Sequence, residues 1–554
     1  MATAVVENSR SRVDSHHALQ ISVPPDWAGQ VENVTISPCI AKDQGRRMTY
    51  TTSHKLSERT ATDWLLGTGV WALLVLVIPL LIVFLGPERI ATLETAIALG
   101  FVAYSGTRMA WLSTLREVRP IESVLHLFVY TTLGIVPLCQ SITERTSYLI
   151  APQYLQSASL IAGIGVIAFD IGAVLAVRSS VQQRFSTNRF IDLRVDRACL
   201  VALSVFATGA TTAYIVSVGG VSTFFGSRQE RRIGVETSLG GGDSQAAVGA
   251  ISALGTAPIL VAFACWIVAA SPRVDFAPSR FWLLVTLALN AIVNNPISNS
   301  RYWTLTVLFA VICAYAALRP FAFRIIVISG VIASITIFPF SDIFRYDESG
   351  LVKREGSNIA EVLATKDYDQ LTMTANGIWM VDGIGHTLGR QLAGSLLFWV
   401  PRSLWPEKPQ DTGVAIGEAM AVPNTNLSSP LWLEAWIDFG LLGVAIVLCG
   451  AGLIARGLDY SYDLHRHCRP YYLSCTTVLV PLVAGYTFIL LRGPLLQSMG
   501  RFAVILGCVA FLCYRSRRSD SENVQPPNAC NANTAAQLPA RKANVAFSNA
   551  VNVG

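Results

Sequence analysis

Twelve apolar stretches follow one another along this chain, at residues 64–85, 90–105, 124–139, 158–177, 198–218, 247–270, 281–293, 302–318, 325–338, 431–455, 472–491 and 502–514. In hydrocarbon every backbone N–H and C=O must be paired within its own segment, so a run of roughly 20 apolar residues crosses a bilayer as a helix. Of the 554 residues 52% are hydrophobic and 14% charged, where soluble domains carry about a quarter charged. The expected fold is all-α: a polytopic membrane domain over 64–514 with about 12 transmembrane helices.

Residues 1–63 are polar, include Pro24 and Pro25, and lack the short apolar core of a cleavable signal. Residues 515–554 are equally poor in large apolar side chains. Both read as disordered cytoplasmic tails. The eleven cysteines are scattered, several inside apolar stretches (Cys265, Cys313, Cys449, Cys508), and none has the spacing of a Cys/His ligand set. Neither a metal site, a disulfide framework nor a cofactor is expected. The net charge of +6 is spread through loops without a basic helix, which argues against a nucleic-acid partner.

Orientation accounts for that charge better. With a cytoplasmic N-terminus, the short inner connections carry 15 arginines and the tails 7 and 5 basic residues, against 8 in the short outer connections. The positive-inside bias therefore predicts a multi-pass membrane protein with both termini cytoplasmic. One outer connection differs from the rest. The loop 341–430, between the ninth and tenth spans, is about ninety residues long, and loops of that length usually carry function.

Within it lies Phe398 to Gly413, FWVPRSLWPEKPQDTG. Pro401, Pro406 and Pro409 each fix a backbone angle and press the preceding residue toward an extended conformation, so the helix suggested by LGRQLAGSLLFWV should stop at or just before Pro401. Trp399 and Trp405 suit a membrane interface. The loop holds 7 basic residues against 11 acidic ones, so a diffuse basic patch is excluded and particular cations would have to converge. The more suggestive cations on the outer side are Arg228, Arg231 and Arg232 in GSRQERRIG, Arg301 in SNSRYW, Arg390, Arg402 and Lys408 in the long loop, and Arg492 in LLRGP. Arginine keeps its charge and presents a planar fork to phosphate oxygens. Snorkelling to headgroups or pairing with the loop acids is the competing reading.

Carboxylates supply possible bases. Glu434 and Asp438 in PLWLEAWIDFG are four apart and share a helix face, with Trp432 and Trp436 paired on another. His386 in DGIGHTLGR, the only histidine of the long loop, is a further candidate proton acceptor. Asp170, inside GVIAFDIGAV, must face the bundle interior.

The run FWVPRSLWPEKPQDTG followed by SPLWLEAWIDFGLLGV resembles the signature region of bacterial oligosaccharide repeat-unit polymerases, the Wzy-type O-antigen polymerase family, and SNSRYW is similar to that family's small-residue-plus-arginine turn. The resemblance covers about residues 295–444. It implies a GT-C-like helical fold with a large periplasmic loop and a metal-independent glycosyltransferase. The substrate would be an undecaprenyl-pyrophosphate-linked oligosaccharide repeat unit, with membrane lipids around it and a flippase and a chain-length regulator as possible partners. On that footing Arg301, Arg402, Lys408 and Arg228, Arg231 or Arg232 would hold the pyrophosphate, and Glu434, His386 or Asp438 would take the acceptor's proton. An O-antigen ligase, which uses the same donor, is the alternative. A twelve-span secondary transporter is a further one, disfavoured because only Asp170 places a charge well inside a span.

Overall fold

A computed structural model describes residues 60–85, 92–115, 117–144, 146, 149–178, 193–226, 234, 245–271, 274, 276–316, 320–336, 360, 363–364, 368–422, 427–468 and 473–514. Residues 1–59 and 515–554 of the expected tails, and also Arg228, Arg231 and Arg232, lie outside the described residues, while Ala61, Thr62 and Asp63, expected as tail, already belong to the first helix because Thr60 and Asp63 cap it. Among the described residues the chain is helical throughout, with no strand and a single isolated bridge between Arg194 and Ser474.

In chain order the helices are α1 (Ala61–Phe84, π-helical over Ala72–Val77), α2 (Leu93–Thr114), α3 (Pro120–Thr143), α4 (Leu155–Arg178), α5 (Arg197–Ser217), α6 (Gln245–Ala269), α7 (Arg280–Val293), α8 (Arg301–Ala316) and α9 (Pro320–Thr336). Within the long connection follow α10 (Gln370–Ile384), α11 (Arg390–Leu396) and α12 (Thr412–Ala419), and then α13 (Leu431–Cys468), α14 (Cys475–Arg492) and α15 (Leu495–Leu512). Their starts are written in the sequence: Thr60 and Asp63 close a capping box on α1, Asp196 caps α5, Ser279 caps α7, and Ser474 with Thr477 boxes α14.

Each of the twelve expected stretches meets a helix, yet among the described residues eight helices are long and apolar enough to cross a membrane: α1, α3, α4, α5, α6, α13, α14 and α15. The helices α7 and α8 stop at 14 and 16 residues, short of the roughly 20 that a 1.5 Å rise demands. The physical reason is the polar turn between them. Asn294 donates to Thr256 O at 3.2 Å and accepts from Trp303 Nε1 at 2.8 Å, while Asn295 donates to Phe224 O at 2.8 Å and Asn299 to Val293 O at 2.8 Å. Asparagine amides thus replace helix hydrogen bonds inside the bundle and bring the chain back early.

The most extensive helix pairing runs along α4 and α13, which travel in the same direction. They touch through glycine: a Cβ added to Gly172 would fall on the carbonyl oxygen of Cys449, and one added to Gly452 on that of Phe169. Small residues let membrane helices approach backbone to backbone, where dispersion contacts accumulate.

A break interrupts α13 near its start. Phe439 (φ −138°, ψ 16°) and Gly440 (φ 61°, ψ −149°) leave the helical region, and a positive φ of that kind favours glycine. The carbonyls freed there accept other chain: Thr387 N donates to Ile437 O at 2.9 Å and Leu388 N to Asp438 O at 3.0 Å.

Asp170 faces the bundle interior, as its cost in lipid requires. It accepts from Arg108 at 2.9 Å, lies 3.2 Å from His126 Nε2 and takes the Tyr104 hydroxyl. The network continues through Glu122 to Arg119 (3.4 Å) and Arg456 (3.7 Å) and through Glu117 to the same two arginines (2.7 and 3.1 Å). Burial works against the Glu117 charge, but Arg119 and Arg456 hold its carboxyl below the usual range. Asp459 caps α3 from α13 by accepting Ile121 N and Glu122 N, both at 3.1 Å.

The glycine contact is directly testable. Gly172→Val should destabilise the detergent-solubilised protein by about 2–3 kcal/mol through overpacking, lowering its thermal unfolding temperature. Gly209→Ala, on α5 with open space at the Cβ position, should be neutral or stabilising by up to about 1 kcal/mol.

Candidate functional site

The proline-rich segment is tied together by its own cations. Arg402 donates to Lys408 O at 2.8 Å and Pro409 O at 3.3 Å. Lys408 donates in return to Phe398 O at 2.7 Å and Val400 O at 2.9 Å. Arg390 reaches Glu407, donating to its carbonyl and pairing with its carboxylate at 3.5 Å. Partial burial and the neighbouring Arg402 charge hold the Lys408 ammonium below its ordinary range. The helix before this segment ends at Leu396, and turns carry the chain through Trp399, so it stops four residues ahead of the residue preceding Pro401. Pro409 packs where Gly394 lacks a side chain, and that contact closes α11 against the loop's return.

Asp438 is fully buried and spends both oxygens on α11. It accepts from Gln391 N at 3.1 Å, Leu392 N at 2.8 Å and the Thr387 hydroxyl. A carboxylate on helix N-terminal amides satisfies groups that would otherwise be orphaned. Its present bonds make it an anchor for α11.

Glu434 lies one turn earlier and is 1% exposed. Its Oε2 accepts from Thr412 Oγ1 at 2.9 Å, and Oε1 makes no hydrogen bond of good geometry. Ser429, Asp411 and the backbone of Leu495 are its electrostatic neighbours. Asp411 caps α12 through Gly413 N at 3.0 Å. Burial pushes the Asp411 carboxyl up to about 6, although the Gly413 and Val414 amides pull the other way. Trp432 is buried and donates to Thr374 Oγ1 at 3.0 Å. Trp436 lies edge-on to His386 with centroids 5.5 Å apart. His386 itself is exposed, with Nδ1 3.3 Å from Ile437 O.

A third group stands at the neighbouring helix ends. Arg301 opens α8 and is followed by Tyr302 and Trp303. The Arg492 guanidinium, at the end of α14, lies over the Tyr302 ring at 4.4 Å. The Arg501 guanidinium, on α15, lies over the Trp303 ring at 4.2 Å and donates to Ser252 at 3.0 Å. Tyr486 completes the support: edge-on to Trp303 at 6.4 Å, stacked on Phe502 at 5.2 Å, its hydroxyl donating to Ser498 O. Three arginines from three helices thus gather about residues 301–303. The group adjoins the Glu434 region through Ser429 N, which donates to Arg492 O at 3.1 Å, and the proline segment through Phe398, whose ring lies 3.8 Å from the Cβ position of Gly500.

Of the site residues expected from sequence, Arg301 lies in this arginine group, while Glu434, Asp438 and His386 share the first two turns of α13 and what docks on them. Arg402 and Lys408 brace the proline segment. Arg501 escaped sequence reading because it follows glycine at the edge of an apolar stretch; the adjacency of Arg492 and Arg501 across the short 493–494 turn was the available signal. Among the described residues no group of three or more His, Cys, Asp or Glu side chains is placed to hold a metal ion. Comparison with family models, with curated proteins and with solved structures returns no match for this chain.

Two outcomes follow from these contacts. Asp438→Ala should strand the Gln391 and Leu392 amides at a cost of about 1–3 kcal/mol and expose the 387–397 segment to limited proteolysis. For Asp411 the folded carboxyl binds its proton more tightly than an unfolded one, so its contribution favours folding as pH falls through about 6 and is lost as pH rises. Thermal unfolding at pH 5 and 7 should show the wild type gaining stability relative to Asp411→Asn at the lower pH, by about 1 kcal/mol.

Proposed function

We propose that this chain is a glycosyltransferase of the oligosaccharide repeat-unit polymerase kind, acting at the periplasmic face of a bacterial inner membrane. About twelve helices in a GT-C-like arrangement would place both termini in the cytoplasm. The donor is a growing glycan on undecaprenyl pyrophosphate, and the acceptor is a hydroxyl at the non-reducing end of the next lipid-linked unit. The single observation that carries the reading is the seating of the Arg492 and Arg501 guanidiniums on the Tyr302 and Trp303 rings, directly after Arg301 in the chain, with the Glu434 region linked to Arg492 through Ser429 N.

In the reaction the acceptor oxygen forms a bond to the donor's anomeric carbon, and the bond from that carbon to the pyrophosphate breaks. The leaving pyrophosphate keeps the electron pair, and the acceptor proton passes to Glu434 or His386. Charge therefore builds on the diphosphate as the bond opens. Opposite unit charges about 4 Å apart attract by about 4 kcal/mol at an effective dielectric near 20, so two or three arginines that move little supply a large part of the barrier reduction. Stacking on Tyr302 and Trp303 supports this role, because a guanidinium seated on an aromatic face is oriented before the ligand arrives. Arg402 and Lys408 shape the entrance and bring their charge to its rim.

The test is a purified lipid-linked repeat unit incubated with reconstituted protein, product length being read on gels. Arg301→Ala, Arg492→Lys and Arg501→Lys should each cut chain growth at least tenfold at normal protein level, since an ammonium cannot present a planar fork. Arg402→Ala should do so as well. Ladders of wild-type length from all four variants would sink the assignment. Transfer of a whole chain to lipid A-core, without growth on the lipid-linked unit, would favour the ligase.

A further inference from the structure

Between α10 and the proline segment the chain displays large apolar side chains that stand exposed among the described residues. Ile384 is 69% exposed, Leu388 81%, Leu396 66%, Trp399 64% and Leu404 78%. Leu388 also holds a positive φ of 51°, a conformation that a leucine adopts only where its surroundings impose it. Water would penalise so dense a patch. The segment is nevertheless firmly mounted: α11 packs on α13 and α15, Asp438 holds its first amides, and Pro409 closes against Gly394.

We propose that this segment is an interfacial platform immersed in the outer leaflet of the bilayer that the spanning helices cross, with lipid as its occupant. Two observations identify lipid. The patch continues the outward face of α13: Phe439 is 46% exposed, Leu442 68% and Ile446 62%, and the Phe439 ring lies 2.7 Å from the Cβ position of Gly389, just before α11. Cations edge the patch as headgroup phosphates require. Among the charges of this stretch Glu407 is paired with Arg390, Asp382 remains an anion that accepts the Tyr154 hydroxyl, and the two cations Arg402 and Lys408 lie close in sequence to Trp399 and Leu404, which leaves the stretch with a net positive charge. Apolar bodies with cationic heads are the composition of a segment lying in the plane of a membrane. The proposal stands apart from the glycosyl-transfer reading and needs only that the long helices cross a bilayer.

Trp399 is its own probe, and Trp399→Phe is a mild change at an exposed site. Both proteins are reconstituted in phosphatidylethanolamine and phosphatidylglycerol vesicles, and the emission of Trp399 is taken as the difference between them. Lipids brominated near the glycerol end of the acyl chain should quench that difference signal at least twofold more than lipids brominated near the methyl end. Iodide introduced to both faces by freeze–thaw should leave it nearly unchanged. Quenching by iodide with none by either brominated lipid would overturn the proposal in favour of a water-exposed loop. Protection from both quenchers would overturn it in favour of a protein partner covering the patch.

Discussion

The arrangement of the bundle end that carries the long connection depends on the break in α13 at Phe439 and Gly440. A continuous helix would have consumed the carbonyls of Ile437 and Asp438 in its own ladder. Because Gly440 takes a positive φ, those carbonyls turn outward and receive the amides of Thr387 and Leu388, while the Asp438 carboxylate receives the amides of α11. Four backbone bonds of a long connection are thereby fixed to a membrane helix. The proline segment follows α11 at once, so its position over the bundle is set by a single glycine and a single carboxylate. Glu434, one turn before the break, is held buried by the same construction.

Legibility in the sequence followed how local the determining interaction was. The helices were legible because hydrocarbon leaves the backbone no other pairing, and all twelve apolar stretches meet helices. Length was less legible: α7 and α8 are shortened by Asn294, Asn295 and Asn299, whose amides reach partners up to 71 positions away in the chain. The inward orientation of Asp170 was readable from cost alone, but not its partners Tyr104, Arg108 and His126, which come from two other helices. Within the proline segment the rigid shape was readable. The destination of Arg402 was not, because its partners are carbonyls of its own loop, and sequence carries no mark of which carbonyls a fold leaves unpaired.

The two ends of the bundle use charge in opposite ways. At the end holding Arg108, Glu117, Arg119, Glu122 and Arg456, each charge meets its opposite at 2.7–3.9 Å. Such a network fixes which helices adjoin more than it adds stability, since taking ions from water offsets most of their attraction. Its charges are paired, so an added ligand would have to compete with the ion pairs already there. The arginine group about Tyr302 and Trp303 is built otherwise, with π faces under the guanidinium planes of Arg492 and Arg501.

That difference bears on what each end can do. An arginine in a bidentate carboxylate pair has its fork occupied, and capturing a phosphate there means breaking a charge-assisted bond. A guanidinium laid on an aromatic ring is held through its face, which leaves the in-plane N–H donors directed around the rim of the plane. Aromatic support therefore orients the cation without neutralising it. Tyr486 extends the same logic one layer outward, anchoring Trp303 on one side and Phe502 on the other while its hydroxyl is tied to the turn that separates Arg492 from Arg501. The aromatic layer thus fixes where the two guanidiniums sit, alongside whatever other contacts each of them makes.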